Sequence, residues 1–175
     1  MISSMHTTFS LGWRWIRFLS LSLYSALHLT PVHEAQAKAY YASEAETIAR
    51  SDAIAVVQIE KVEAIETKAE PFDYRQIAHA KVERTLKGIL PESILIHGSE
   101  TFICAQVRLR PGKFLVCLRK AGAFLVGANW HLSVRPIEGD KVEWYTPGTH
   151  MDLSWQPLDP VLQRVKDVIS REARR

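Results

Sequence analysis

The sequence predicts a mainly β fold, a small antiparallel barrel or sandwich with a short helix at its start and an amphipathic helix at its end. Three observations carry this. Short runs rich in valine, isoleucine and aromatic residues recur between Ile54 and Tyr145, separated by turn residues. Helical spacing occurs only near Ser43 and after Asp159. Hydrophobic residues make up 47% of the chain and charged residues 23%, the composition of a packed domain rather than of a disordered one.

The elements follow in chain order. Ser43-Glu44-Ala45-Glu46 has the S-x-x-E form of a capping box and opens a helix over about Ser43 to Arg50. Ile54 to Val62, IAVVQIEKV, lacks helical spacing and reads as a strand near the core, whereas the acidic and lysine-bearing stretch Glu63 to Asp73 reads as a loop. Tyr74 to Leu86 alternates, with Ala78, Ala80, Val82 and Leu86 on one side and His79, Lys81, Glu83 and Thr85 on the other, which predicts a half-buried strand ending at Lys87-Gly88. Ser93 to His97 supplies another strand after Pro91. Phe124 to Val126, Leu132 to Val134 and Val142 to Tyr145 give three shorter ones. At the end, Asp159 suits an N-cap and Pro160 the first helical position, and Val161, Leu162, Val165, Val168 and Ile169 share one face. This predicts a docked helix, with a membrane-surface helix as the alternative.

Between these elements, TFICAQVRLR-PGK-FLVCLRK reads as two strands reversing about Pro111-Gly112. Setting Arg108 opposite Lys113 pairs Val107 with Phe114, Ala105 with Val116 and Ile103 with Leu118 on one apolar face. Cys104 then faces Cys117 on the other. Directly opposed Cβ atoms lie about 4.5–5.5 Å apart, close to the mean of about 3.8 Å in a disulfide. A Cys104–Cys117 bridge is therefore expected in an exported chain. Two buried free thiols are the alternative.

Export itself is read from the first residues. A weakly basic stretch with Arg14 and Arg17 precedes an apolar run, Phe18 to Leu29, that is shorter than the roughly 20 residues of a bilayer span. Ala35-Gln36-Ala37 places small residues where a signal peptidase recognises them. The expectation is a signal peptide over 1–37 and one domain over 38–175 in the periplasm or outside the cell, with no stable transmembrane span after cleavage. An uncleaved anchor is the alternative. Removing 1–37 leaves 20 Lys and Arg against 18 Asp and Glu, a balance that argues against nucleic acid as a partner.

Three segments, SDAIAVVQIEKV, YRQIAHAKVERTLKG and ICAQVRLRPGKFLVCLRKAGAFLVG, together resemble bacterial exported proteins with the five-stranded OB-type barrel of tissue inhibitors of metalloproteinases and netrin-like modules. Val82, Leu86, Lys87 and Gly88 match a V-x-x-x-L-K-G run. Cys104, with Gly112, Lys113, Phe114, Leu115 and Val116, matches a cysteine followed by G-K-aromatic-L-V. The resemblance covers about Ser51 to Val126 and implies an OB-like barrel. Metalloproteinase inhibitors of that group chelate zinc through an N-terminal cysteine. Lys38 stands at the expected mature N-terminus here, so that mode of inhibition is not implied. Their later partner cysteine is also absent, and Cys117 lies within a strand.

Catalytic signatures are missing from the sequence. His79, His97, His131 and His150 show no H-x-x-x-H spacing, and no C-x-x-C, G-x-S-x-G, phosphate-loop or dinucleotide pattern occurs. No catalytic residue, metal ligand or cofactor is named on this basis. Two groups are candidates for a binding surface: the basic hairpin tip with Arg108, Arg110 and Lys113, and the late aromatic residues Trp130, Trp144 and Tyr145, for which core packing is the competing explanation. The reading is a non-enzymatic exported binding or interaction module whose partner is another envelope or extracellular protein. An exported enzyme of unrecognised mechanism and a loop-based protease inhibitor are the alternatives.

Overall fold

The computed structural model describes residues 41–69, 72–98 and 106–174, all within one unit, Ala39–Arg175. The leader read over 1–37 and Cys104 lie outside the described residues. Helix α1, Glu44–Arg50, carries both halves of the expected capping box: the Ser43 amide donates to Glu46 Oε2 at 2.9 Å, and the Glu46 amide donates to Ser43 Oγ at 3.4 Å. Its C-terminal end is met by a distant lysine. Lys87 Nζ donates to the carbonyls of Ile48 at 2.7 Å and Ala49 at 3.1 Å, satisfying acceptors that the helix leaves open. Gly88 follows with φ +75°, and a Cβ there would lie 2.3 Å from the Asp52 carbonyl oxygen, so only glycine admits this approach. The L-K-G run thus closes a helix and lets two backbones touch.

Eight strands follow: β1 Ala53–Ala69, β2 Phe72–Lys87, β3 Ser93–Gly98, β4 Gly112–Ala121, β5 Phe124–Gly127, β6 Val134–Glu138, β7 Lys141–Tyr145 and β8 Leu153–Pro157. They form a mixed sheet in the order β1-β2-β3-β5-β4-β6-β7-β8, with β4 also pairing β1, so that the first five strands return on themselves in a partial ring. All pairs are antiparallel except β3 with β5, which corrects the expectation of a wholly antiparallel sheet. The loop expected over Glu63 to Asp73 is largely ladder. β1 continues through Glu63, opposite Ile77, and Ala64, opposite Gln76. Polar residues read as loop because apolar alternation marks only strands with a buried face, and this hairpin arm is partly exposed.

The expected hairpin about Pro111-Gly112 does not form in the predicted register. Residues 106–110 are not strand. A strand has two edges, and those of β4 are taken: β1 runs along one, setting Cys117 against Ile54, while β6 pairs with Phe114 to Val116 and β5 with Leu118 to Ala121 on the other. Lys113 faces Gln58, and Phe114 faces Val57 and Pro136. Cys117 is a wholly buried free thiol. Burial pushes its pKa up to about 12.

Two cores flank β1 and β4. Ile54, Val56, Leu115 and Cys117 face one cluster with Ile48, Trp144 and the buried side of helix α2, Leu158–Glu172. Ala55, Val57, Phe114, Val116 and Leu118 face the other, with Ala78, Ala80, Ile94 and Ile96 inside the ring. Burial on both faces explains why IAVVQI and FLVCL are continuous apolar runs rather than alternating ones. In α2, Val161, Leu162, Val165 and Val168 are buried against the first cluster, as the docked reading expected. The helix begins two residues early, and the Leu158 amide donates to the Asp140 carbonyl at 2.7 Å in place of a side-chain cap. Leu132 and Ser133 belong to a 3₁₀ turn, Trp130–Ser133, rather than to a strand. Among the described residues no helix is long and apolar enough to cross a membrane.

Candidate functional site

The segment Gln106 to Arg110 crosses one end of the ring. Val107 and Leu109 are buried while Arg108 and Arg110 are exposed. The Leu109 amide donates to Gln76 Oε1 at 2.9 Å, which fastens the segment to β2 without a strand partner. Clefts open on both sides of Val107.

The first, of about 290 Å³, is lined by Gln106, Val107, Arg108, His131, Val134 and Arg135. Arg135 is its fixed element: Nη1 donates to the His131 carbonyl at 2.9 Å, Nη2 pairs with the Glu143 carboxylate, and only 8% of the residue is exposed. Burial lowers its pKa to about 10. Burial and, secondarily, the Arg135 charge also lower the pKa of His131, so its imidazole is neutral at pH 7. Arg108 Nε donates to Gln106 Oε1 at 3.1 Å on the outer wall.

The second is smaller, about 20 Å³, and is lined by Tyr74, His97, Val107, Arg119, Val126, Gly127 and Trp130. Trp130 holds φ +50°, the one positive value at a non-glycine among the described residues, a conformation uncommon for a bulky side chain and concentrated at functional sites. His97 is among its lining residues. It is 6% exposed, its ring centroid lies 4.3 Å from that of Phe124 and 6.0 Å from that of Tyr74, and its Nδ1 has no hydrogen-bond partner. Burial lowers the His97 pKa, with hydrogen bonding to the Leu125 backbone opposing it, and the ring is neutral at pH 7. Burial raises that of Tyr74, with the Arg119 charge opposing it. His97 also lines an open groove of about 380 Å³ between β3 and β5, walled by Ile77, Pro91, Ile94, Leu95, Phe124 and Leu125.

The expected surface residues do not converge. Arg108 lines the first cleft and Trp130 the second, and Arg110 is exposed on the segment between. Lys113 instead pairs with Glu83 at 2.6 Å. Trp144 and Tyr145 are corrected from surface to core, at 0% and 1% exposure. Trp144 Nε1 donates to Glu44 Oε1 at 2.5 Å, and the Tyr145 hydroxyl shares a hydrogen bond with Thr47 Oγ1 at 2.8 Å. Their polar tips find partners inside the protein, as buried tyrosine and tryptophan require.

Tyr74, Phe124 and Arg135 were not singled out by the sequence as site residues. The available signal was His97 itself, a polar residue ending the apolar run SILIH, which the sequence weighed only for metal spacing. No group of three or more metal-binding side chains gathers among the described residues. The second cleft brings together one guanidinium, Arg119, one phenol, Tyr74, one neutral imidazole, His97, and apolar walls. No protein-family model matches the chain, and the comparison with curated proteins finds no match.

Proposed function

We propose that the chain is an exported binding module built on a small OB-type barrel, engaging an envelope or extracellular protein through the clefts about Val107 and His97. Support for the barrel is the strand circuit β1-β2-β3-β5-β4 and back to β1, with its single parallel pair. The observation that carries the binding reading is His97, a polar ring more than nine-tenths buried with an unpartnered nitrogen, at the junction of a cleft and an apolar groove. A rigid strand scaffold supports it. The exposed Arg108 and Arg110 at the rim favour a partner with acidic groups.

Site-specific cross-linking in the native envelope tests the reading. A photoreactive residue at Leu95 or Arg108 is expected to give one discrete protein adduct, and the same residue at Glu138, the exposed last residue of β6, none. Equal labelling from all three positions, or no adduct from any, refutes a partner at this face. Sequencing the N-terminus of the envelope protein is expected to read from Lys38, and a chain beginning at Met1 refutes cleavage there.

A further inference from the structure

Strand β8 ends the sheet: it pairs with β7 on one side and, among the described residues, with no strand on the other. Two hydrogen bonds show which way its backbone groups point. The Thr146 amide donates to the Asp152 carbonyl at 2.8 Å and the Leu158 amide to the Asp140 carbonyl at 2.7 Å, so the even-numbered residues of β8 bond to β7. The amides and carbonyls of Leu153 and Trp155 therefore face the open side. Pro157 faces it too, and a proline there leaves no donor unmet.

The free edge of β1 is protected by charge. Past Ile59, where its pairing with β4 ends, it carries Glu60, Lys61 and Glu63, the kind of side chain that keeps an edge from adding another strand. β8, Leu-Ser-Trp-Gln-Pro, carries none. Its polar side chains are bonded within the protein: Ser154 Oγ accepts from Thr146 Oγ1 at 2.9 Å, and Gln156 Oε1 accepts from Arg164 of α2 at 3.2 Å. Alternation puts Trp155 on the opposite face of the strand from Gln156, where it is 45% exposed. Met151, just before the strand, is 47% exposed. None of these residues lines the two clefts or the groove.

We infer that β8 is a self-association edge, and that its partner is β8 of a second copy of this chain, laid antiparallel about a two-fold axis through Ser154. Symmetry restricts the register. A two-fold axis perpendicular to the sheet keeps each residue on its own face, and opposed residues must share a face, so the axis falls on a residue rather than between two. With Ser154 at the centre, Leu153 lies opposite the second copy's Trp155 and exchanges both amide–carbonyl bonds with it, as does the symmetric pair. Every outward donor of the strand is then used. Met151 falls opposite the second copy's Pro157, outside the ladder, so both exposed apolar side chains meet apolar residues. Centring on Trp155 instead sets Leu153 against proline and leaves the Leu153 carbonyl without a donor. The occupant is a second copy because the edge is complementary to itself in both backbone bonds and side chains.

Sedimentation of the purified protein tests it. The seam is small beside the roughly 1,600 Å² of a standard interface, so the mass is expected to rise from one chain to two with a Kd of about 10–100 µM. Trp155→Lys, at an exposed position, is expected to keep the urea midpoint and to weaken the dimer about tenfold or more, because it sets a charge against Leu153. Ser154 lies opposite itself in a non-hydrogen-bonded pair, where Cα atoms are about 4.5 Å apart. Ser154→Cys in a Cys104→Ser background is therefore expected to give a disulfide-linked dimer on mild oxidation. A single-chain mass up to about 500 µM, well above that Kd, overturns the inference. So does an unchanged dimer in folded Trp155→Lys, or failure of Ser154→Cys to cross-link at concentrations where it sediments as a dimer.

Discussion

Asn129 is the residue on which the described fold turns most sharply, and Asn129→Ala is the perturbation that tests it. The side chain is 2% exposed and makes four hydrogen bonds: Nδ2 donates to the Ala42 carbonyl at 2.8 Å, to Thr47 Oγ1 at 2.9 Å and to the Tyr145 hydroxyl at 2.7 Å, and Oδ1 accepts from the Ala42 amide at 3.0 Å. Truncation leaves Thr47 and Tyr145 bonded to each other. It strands the Ala42 amide and most of the bonding of the Ala42 carbonyl, whose remaining partner is the Tyr145 hydroxyl at 3.4 Å. Each stranded buried group costs about 1–3 kcal/mol, giving a destabilisation of about 2–5 kcal/mol against a total of about 5–15 kcal/mol. With a urea m-value of about 2 kcal/mol/M, the unfolding midpoint falls by about 1–2.5 M. Equilibrium urea unfolding followed by tryptophan fluorescence measures this. A midpoint moved by less than about 0.3 M, the effect of an ordinary surface substitution, refutes the reasoning. The backbone amide of Asn129, which the substitution keeps, donates to Ser133 Oγ, so the turn that carries Trp130 retains this bond in the variant.

Three further outcomes are expected. Cys117, buried with its pKa raised to about 12, is expected to resist iodoacetamide at pH 8 in the folded protein and to react in urea without reductant, as read by mass spectrometry; no label in urea restores the Cys104–Cys117 bridge. Leu162→Ala in α2 is expected to cost about 2–5 kcal/mol in urea unfolding, because Leu162 is 3% exposed in the helix-side core; an unchanged midpoint combined with weakened binding to anionic vesicles favours the membrane-surface alternative. The folded-state pKa of His97 lies below its unfolded value near 6.5, so its contribution to stability is complete above about pH 6.5 and is lost as pH falls through the folded value. His97→Phe is expected to flatten the dependence of the urea midpoint between pH 7 and 5, and an identical slope in both proteins refutes the assignment.

What the sequence made legible was whatever one segment determines alone. The Ser43 and Glu46 capping box, the alternation about Ala78 and Ala80 and the apolar face of α2 are local patterns, and each is present. The choice of strand neighbour is not local. FLVCLRK looked like half of a hairpin with the preceding residues, because adjacency favours the nearest strand, yet its apolar residues on both faces already required a position inside the sheet. The site was hidden for the same reason. Tyr74, His97, Arg119 and Trp130 come from β2, β3, β4 and the 3₁₀ turn, and only the partial ring brings them to one cleft. Trp144 was misleading because aromatic residues serve cores and surfaces alike; its burial depends on Glu44, 100 residues earlier, accepting its indole proton.

The opening beside β3 follows from the turn that precedes β5. Ala121 pairs with Phe124, leaving Gly122 and Ala123 as a two-residue loop, and Gly122 holds the φ of +61° that such turns demand. In the parallel register that sets Leu125 against Ile96, Phe124 falls beside Leu95, and the residues that would lie against Ile94 and Ser93 are Ala123 and Gly122. Those two are committed to reversing the chain and cannot extend a strand. The tight hairpin therefore fixes where the ring stops closing, and it does so without reference to any ligand. The same register sets Arg119 opposite Val126, itself the neighbour of His97, so that β5 stands between the guanidinium and the edge of β3. Lengthening the β4–β5 turn would free residues to pair with Ile94 and close the groove, so a single hairpin register sets the width of the opening.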